Sequence, residues 1–240
     1  MSACLFDLDG VLTQTAKVHA AAWKEMFDAF LVDRSRRTGG PFRPFELPAD
    51  YVDHVDGKLR QDGVRGFLAS RGIALPEGAD EGPPTAETVH GLGTRKNDLV
   101  LELIRRDGVE VYEGSVRFVA VVRDAGLRRA VVSASKNCRE VLAAAGIEGL
   151  FEVRVDGLVA QQAGLRGKPA PDMFLAAAEA LGVAPGHAAV FEDAVAGVQA
   201  GRAGDFGWVV GVDRAGHAGA LRSHGADTVV ADLGDLLGAR

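Results

Sequence analysis

Short runs of uninterrupted apolar residues alternate with helical patterns over the second half of the chain. Arg129–Ser133, Ala188–Phe191, Trp208–Val212 and Thr228–Ala231 read as strands, and Asn137–Ala145, Pro171–Leu181 and Ala194–Ala203 as the helices between them. An apolar run without polar alternation is what a strand covered on both faces requires, and strands separated by helices pair in parallel through right-handed crossovers. The opening run Ala3–Phe6 reads as one more buried strand. The expected fold class is therefore α/β, built on a parallel sheet. Between Thr15 and Asp107 the period changes: Ala16–Leu31, Arg60–Ser70 and Arg95–Arg106 repeat as helices and no strand-like run of comparable strength occurs. The expected organisation is a helical domain, 15–107, inserted into an α/β core formed by 1–14 and 108–240. Thr38–Pro44 and Pro76–Thr94 are rich in Pro and Gly and read as loops within the insert, the second unusually long.

At 240 residues and 47% hydrophobic content the chain can bury a sizeable core. Its net charge of −6, with 27 Lys and Arg spread along it, provides no basic run to follow a nucleic acid or an anionic membrane, so neither partner is expected. An anionic substrate must be held by local groups. The two cysteines, Cys4 and Cys138, are too few for a disulfide framework or a zinc site and suit a reducing cytoplasm. Nothing approaches the roughly 18 apolar residues of a membrane span, and Met1–Phe6 runs directly into polar Asp7, so a soluble, unexported protein is expected.

The chemistry-bearing residues fall one cluster to a strand end. Asp7 and Asp9, two apart, share a face where the opening strand of an open parallel sheet meets its ligand crevice. Ser133-Ala134-Ser135-Lys136-Asn137 follows the next strand and opens a helix, a place for an anion. Lys168 precedes a helix that Pro171 and Asp172 start, and Glu192-Asp193 ends a further strand. Each alone has an ordinary explanation: an Asp9-Gly10 turn, a helix cap at Ser135 or Asn137, a solvated lysine, a helix start at Asp193. Together they form one coherent set. Carboxylates hold Mg²⁺, which prefers oxygen ligands, and the cation, a hydroxyl and a lysine neutralise a transferring phosphoryl group.

In content and order these four clusters resemble the motifs of the haloacid dehalogenase superfamily, and within it the β-phosphoglucomutase-like members and their sugar-phosphate phosphatase relatives. The resemblance spans nearly the whole chain and implies a Rossmann-like core with an inserted α-helical cap. It implies Asp7 as the nucleophile that becomes an aspartyl phosphate and Asp9 as general acid–base. Mg²⁺ would be held by Asp7, the main-chain carbonyl of Asp9, Glu192 and Asp193. Ser133 and Lys168 would hold phosphoryl oxygens, with the Ala134 N–H and the neighbouring Ser135, Lys136 and Asn137 on the substrate.

Further positions carry the mutase likeness. Thr15 and His19 match the linker before the first cap helix. Gly57-Lys58-Leu59-Arg60 resembles a segment whose arginine binds the non-reacting phosphate. Arg95-Lys96-Asn97 resembles a cap helix start that contacts the sugar phosphate, and Trp23 would line the cleft. Packing would equally explain His19 and Trp23, a solvated face Arg60, and an ordinary helix start Lys96-Asn97. Asp56, Ala194 and the long 76–94 loop depart from the mutase pattern. The implied activity is interconversion of β-D-glucose 1-phosphate and glucose 6-phosphate through an aspartyl-phosphate enzyme and a bisphosphate. The alternatives are a Mg-dependent sugar-phosphate phosphatase and, behind it, a non-catalytic sugar-phosphate binding protein; dehalogenation needs neither Mg²⁺ nor this carboxylate set. The expected state is a cytoplasmic monomer whose partners are a small sugar phosphate and its bisphosphate. His54, His90, His187, His217 and His224 show no metal-ligand spacing and read as surface or loop residues, and Cys138 as an inert thiol.

Overall fold

The structure, a computed structural model, describes residues 1–80 and 82–238. The chain separates into two compact units, one formed by Met1–Thr15, Gly57–Leu59 and the chain from Val109 onward, the other by Ala16–Asp56 and Arg60–Gly108.

The first unit is a parallel six-stranded sheet. Its strands are β1 (Ala3–Phe6), β2 (Arg128–Val132), β3 (Val153–Val155), β4 (Ala188–Glu192), β5 (Trp208–Val212) and β6 (Thr228–Val230), in the order β3-β2-β1-β4-β5-β6. The register sets Phe6 beside Val131 on one side and Phe191 on the other. β1 is buried along its whole length because its alternate residues enter two different cores. Ala3 and Leu5 join Val132, Val190, Phe174 and Val198 on one face. On the other, Phe6 stacks on Phe191 with ring centroids 4.7 Å apart and meets the edges of Phe118 and Phe151. The chain leaves β1 toward β2 and β3, then returns to β4 on β1's other side and continues to β5 and β6. The strand order reverses between β1 and β4, which is where open parallel sheets form their crevice beyond the carboxyl ends of the strands.

The second unit is helical and is described by itself: α1 (Ala16–Thr38), α2 (Arg60–Ser70) and α3 (Val89–Asp107), with a π-helical turn at Tyr51–Val55. Its core is aromatic. Phe27 stacks on Trp23 and Phe45 at 5.3 and 5.4 Å and touches Phe67 at 4.1 Å. No helix among the described residues is long and apolar enough to cross a membrane.

Several sequence expectations are corrected here. α1 continues past Leu31 to Thr38 because its final turns are solvated and carry Arg36 and Arg37, which suit a helix C-terminus but add nothing to the apolar period. It stops at Gly39, whose φ is +68°. The long loop ends at Thr88 rather than Thr94. The Thr88 hydroxyl accepts from the Gly91 N–H at 2.9 Å and caps α3, whose first turns hold the poor helix formers Gly91 and Gly93. A Cβ on Gly91 would stand 2.3 Å from the Ala86 carbonyl oxygen, so glycine is required there. Arg95-Lys96-Asn97 therefore lies inside α3, and His19 lies inside α1, not in a linker before it. In the first unit α4 (Glu113–Asp124), α5 (Cys138–Ala144), α6 (Gly157–Ala163), α7 (Asp172–Ala180), α8 (Val195–Ala203) and α9 (Ala218–Ser223) complete the layers. α5 is one residue shorter at each end than expected.

Candidate active site

β1 ends at Phe6, and the next residue continues the ladder: the Asp7 N–H donates to the Phe191 carbonyl at 2.9 Å. Asp7 thus leaves the sheet at the switch point with its carboxylate buried. The chain then turns tightly, with Leu12 and Thr13 N–H groups donating to Leu8 O at 2.9 and 3.0 Å. That turn brings Thr13 and Thr15 beneath Asp9. The Thr15 hydroxyl donates to Asp9 Oδ1, and the Thr13 and Thr15 hydroxyls are 2.6 Å apart. Across the crevice Ser133 Oγ lies 3.4 Å from Asp9 Oδ2.

β4 delivers the second pair. Glu192 is fully buried, and its Oε2 accepts the Ala194 N–H at 3.1 Å. Asp193 does not act as the helix start that would otherwise explain it: it does not cap α8, and its carboxylate lies with those of Asp7 and Glu192. Two glycines make this approach possible. Gly10 has φ +92°, and a Cβ there would lie 1.8 Å from Asp193 Oδ2; a Cβ on Gly197 would lie 1.9 Å from the Glu192 carboxylate. Any side chain at either position would push a carboxylate out.

Lys168 is buried, not solvated. Its Nζ donates to Asp7 Oδ1 at 2.5 Å and to Val132 O at 3.3 Å, pairs with Glu192, and lies 5.1 Å from the Phe174 ring centroid. Burial alone would lower the lysine's pKa, and its two carboxylate partners more than offset that, so the net shift is upward. For Asp7 burial dominates: it pushes the carboxyl well above its ordinary value, Glu192 and Asp9 add to this, and Lys168 opposes it.

Asp7, Glu192 and Asp193 each present an oxygen within 4.8 Å of the others. With Asp9 beside them, the crevice holds four carboxylates against the single buried ammonium of Lys168. An all-oxygen donor set carrying excess negative charge fits a hard divalent cation, which would relieve the repulsion among these carboxylates.

The loop after β2 lines the same crevice. The Ser135 N–H donates to Ser133 Oγ and the Asn137 N–H to Ser135 Oγ, both at 3.1 Å, so each serine organises the backbone two residues on. Asn137 does not cap α5 with its side chain. Ala134 and Lys136 pack on Gly157, where a Cβ would come 2.7 Å from the Ala134 carbonyl oxygen. Gly57, with φ +67°, also belongs to this unit; a Cβ there would meet the Ala194 methyl at 2.9 Å.

The other expected substrate residues gather in the helical unit. Arg60 Nη2 donates to Asn97 Oδ1 at 2.8 Å. Lys96 Nζ is 2.9 Å from His19 Nδ1 and 4.9 Å from the Trp23 ring centroid. Arg60, Asn97, Lys96, His19 and Trp23 thus form two linked groups joined through adjacent residues of α3. Gly93 makes room for the arginine, since a Cβ there would stand 3.2 Å from Arg60 Cδ.

Cys4 and Cys138 are buried and unbonded. Burial pushes the Cys4 thiol up to about 12 and the Cys138 thiol up as well, which makes both inert at neutral pH. His217 lies in a loop, as expected, and is half-buried there, with Nε2 3.0 Å from the Asp193 carbonyl oxygen. Arg214, which sequence reasoning passed over, donates from Nε to the Gly10 carbonyl at 3.0 Å. The signal was present, since both follow β5 as the other clusters follow their strands.

A family model described as haloacid dehalogenase-like hydrolase matches residues 1–205. Over 238 residues, 98% of this chain and 91% of the relative, the sequence is 57% identical to a protein from Mycobacterium bovis named β-phosphoglucomutase. The crystal structure of β-phosphoglucomutase from Clostridium difficile aligns with a TM-score of 0.75 and 25% identity over 98% of this chain and 93% of that one. A hydrolase from Pseudomonas syringae aligns with a TM-score of 0.78 over 99% and 96% of the two chains, at 23% identity, a likeness of fold.

Proposed function

The chain belongs to the haloacid dehalogenase-like hydrolase family, and from that premise we propose that it is a β-phosphoglucomutase. It interconverts β-D-glucose 1-phosphate and glucose 6-phosphate through an aspartyl-phosphate enzyme and a β-glucose 1,6-bisphosphate intermediate. The observation that carries the reading is the 57% identity over nearly the full length of both chains, joined to a crevice whose groups suit phosphoryl transfer.

Asp7 attacks the phosphorus of the bisphosphate; its carboxylate–phosphorus bond forms as the bond to the sugar oxygen breaks. Asp9 gives its proton to that leaving oxygen, and takes one back when the hydroxyl of the next sugar phosphate attacks the aspartyl phosphate. The threonine hydroxyls serve both forms of Asp9. When it is ionised they donate in sequence, Thr13 to Thr15 to Asp9. When it is protonated the series reverses and ends at the Leu8 carbonyl, 3.2 Å from Thr13 Oγ1. Ser133 and Lys168 bind the oxygens of the transferring group. Asp7, Glu192 and Asp193, with the main-chain carbonyl of Asp9, would hold Mg²⁺, which would supply charge neutralisation at that group. Arg60, Lys96 and Asn97 bind the phosphate that is not reacting, for which a planar guanidinium is suited. The buried, unbonded thiols favour a cytoplasmic setting.

Chelation with EDTA is expected to abolish turnover and excess Mg²⁺ to restore it; full activity in EDTA contradicts the cation assignment. A second assay separates the mutase from a phosphatase. Given β-glucose 1-phosphate and a trace of the bisphosphate, the enzyme is expected to form glucose 6-phosphate, read by coupled dehydrogenase, much faster than inorganic phosphate. Arg60→Ala should lower the mutase rate about tenfold or more, as loss of a charge-assisted phosphate contact does, while sparing hydrolysis of a small phosphate ester. Predominant phosphate release, or equal loss of both activities, points to the phosphatase.

A further inference from the structure

We propose that the loop after β5, Asp213–His217, is a clamp that fixes the separation of the two carboxylate pairs from behind, with Arg214 and His217 as positioning residues. The proposal rests on the phosphoryl-transfer reading above and adds to it residues that no motif of that reading includes.

The two pairs arrive on different strands, Asp7 and Asp9 after β1 and Glu192 and Asp193 at β4. Their like charges press them apart; Lys168 bridges Asp7 to Glu192, and for the outer members, Asp9 and Asp193, a further restraint that leaves the carboxylate oxygens free must come from the main chain. Main-chain carbonyls next to the carboxylates are the available handles. Arg214 takes one: its Nε donates to the carbonyl of Gly10, the residue after Asp9, at 3.0 Å. Gly10 is also the residue whose Cα lies against Asp193, so fixing its peptide sets the gap between the pairs. His217 takes the other: its Nε2 lies 3.0 Å from the carbonyl oxygen of Asp193. A carbonyl can only accept, so Nε2 carries the proton.

The clamp is itself held rigid. The Asp213 carboxylate accepts N–H groups from Ala215, Gly216, His217 and Ala218 at 3.3, 2.7, 2.9 and 3.1 Å, which closes the loop on itself. The Arg214 guanidinium lies 3.6 Å from the Tyr112 ring centroid. It spends three further donors on Ala231 O at 2.8 Å, Asp232 Oδ2 at 2.9 Å and Ser115 Oγ at 3.2 Å. Such anchoring leaves Arg214 little freedom to follow Gly10 if the carboxylates move apart. One loop therefore joins the main chain beside Asp9 to the main chain of Asp193.

The test uses the full chain and measures Mg²⁺ binding by isothermal titration calorimetry without substrate, beside kcat, KM and a urea midpoint. His217→Ala is expected to weaken Mg²⁺ binding and lower kcat by about tenfold or more, the range seen when groups that orient metal ligands are removed. KM for the sugar phosphate and the urea midpoint should stay close to the parent's. His217→Gln, which keeps an N–H donor, should recover most of the loss. Arg214→Lys, which keeps the charge but not the fork, should show the same pattern and covers the case in which Arg214→Ala fails to fold. Parent-like Mg²⁺ affinity and kcat in folded His217→Ala and Arg214→Lys overturn the clamp alone. An unaltered chain that binds no Mg²⁺ overturns the functional reading, and the clamp with it.

Discussion

Replacing Asp7 by asparagine is expected to eliminate covalent labelling and to lower turnover by roughly 10⁴-fold or more, the scale of losing a nucleophile. An amide cannot form the acyl phosphate, and Asp7 is the carboxylate directly after β1 that Lys168 hydrogen-bonds. Asp9→Asn should still accept the label but turn over slowly, because it moves protons and makes no bond to phosphorus. Brief exposure to acetyl phosphate or beryllofluoride followed by mass spectrometry locates the adduct; an adduct elsewhere refutes the assignment. Stability separates this loss from unfolding. A folded-state carboxyl whose pKa is raised contributes stability only while protonated, and loses it as pH climbs from the unfolded toward the folded value. In EDTA the parent should therefore lose stability as pH rises, and Asp7→Asn, which cannot ionise, should lose less of it over the same range. The nucleophile occupies its position for chemistry.

The opposite holds for Lys168. Lys168→Ala should destabilise the metal-free protein by about 3–5 kcal/mol, the effect of breaking a buried ion pair from one side. It strips Asp7 and Glu192 of their common counter-charge and leaves a cavity beside Phe174. Urea unfolding in EDTA measures the deficit. Saturating Mg²⁺ should recover part of it, because a ligand bound only by the folded chain stabilises by mass action. A loss below about 1 kcal/mol in EDTA would mean that the lysine is dispensable to the charge balance of the crevice.

Sequence pattern located the sheet and the crevice because the physics there is local. Ala3–Phe6 could be read as buried because every residue in it is apolar, and Asp7 stood out because a carboxylate directly after such a run needs a reason to be there. Arg60–Ser70 was read to its ends because apolar periodicity spans the helix. Periodicity failed where burial stops or glycine intervenes: the solvated end of α1, and the start of α3, where Gly91 and Gly93 serve close packing rather than helix propensity. The roles of Gly10 and Gly197 were invisible because a missing Cβ matters only against what sits opposite. His217 was set aside for lacking ligand spacing, yet its contact is with a carbonyl, and no side-chain pattern records main-chain partners.

The sheet order also bears on how the protein reaches its native state. The strand that carries the nucleophile, β1, finds its two neighbours in β2, beginning at Arg128, and β4, beginning at Ala188, so both of its ladders close very long loops. The helical unit needs only contacts within Ala16–Gly108, apart from the short Gly57–Leu59 excursion. Loop-closure entropy and contact order therefore favour early gain of helix there and late insertion of β1 between its neighbours. During refolding most of the helical signal should precede enzyme activity, and until β1 docks, its apolar run is a sticky segment seeking any free sheet edge. The residue that defines the chemistry is thus among the last to be put in place.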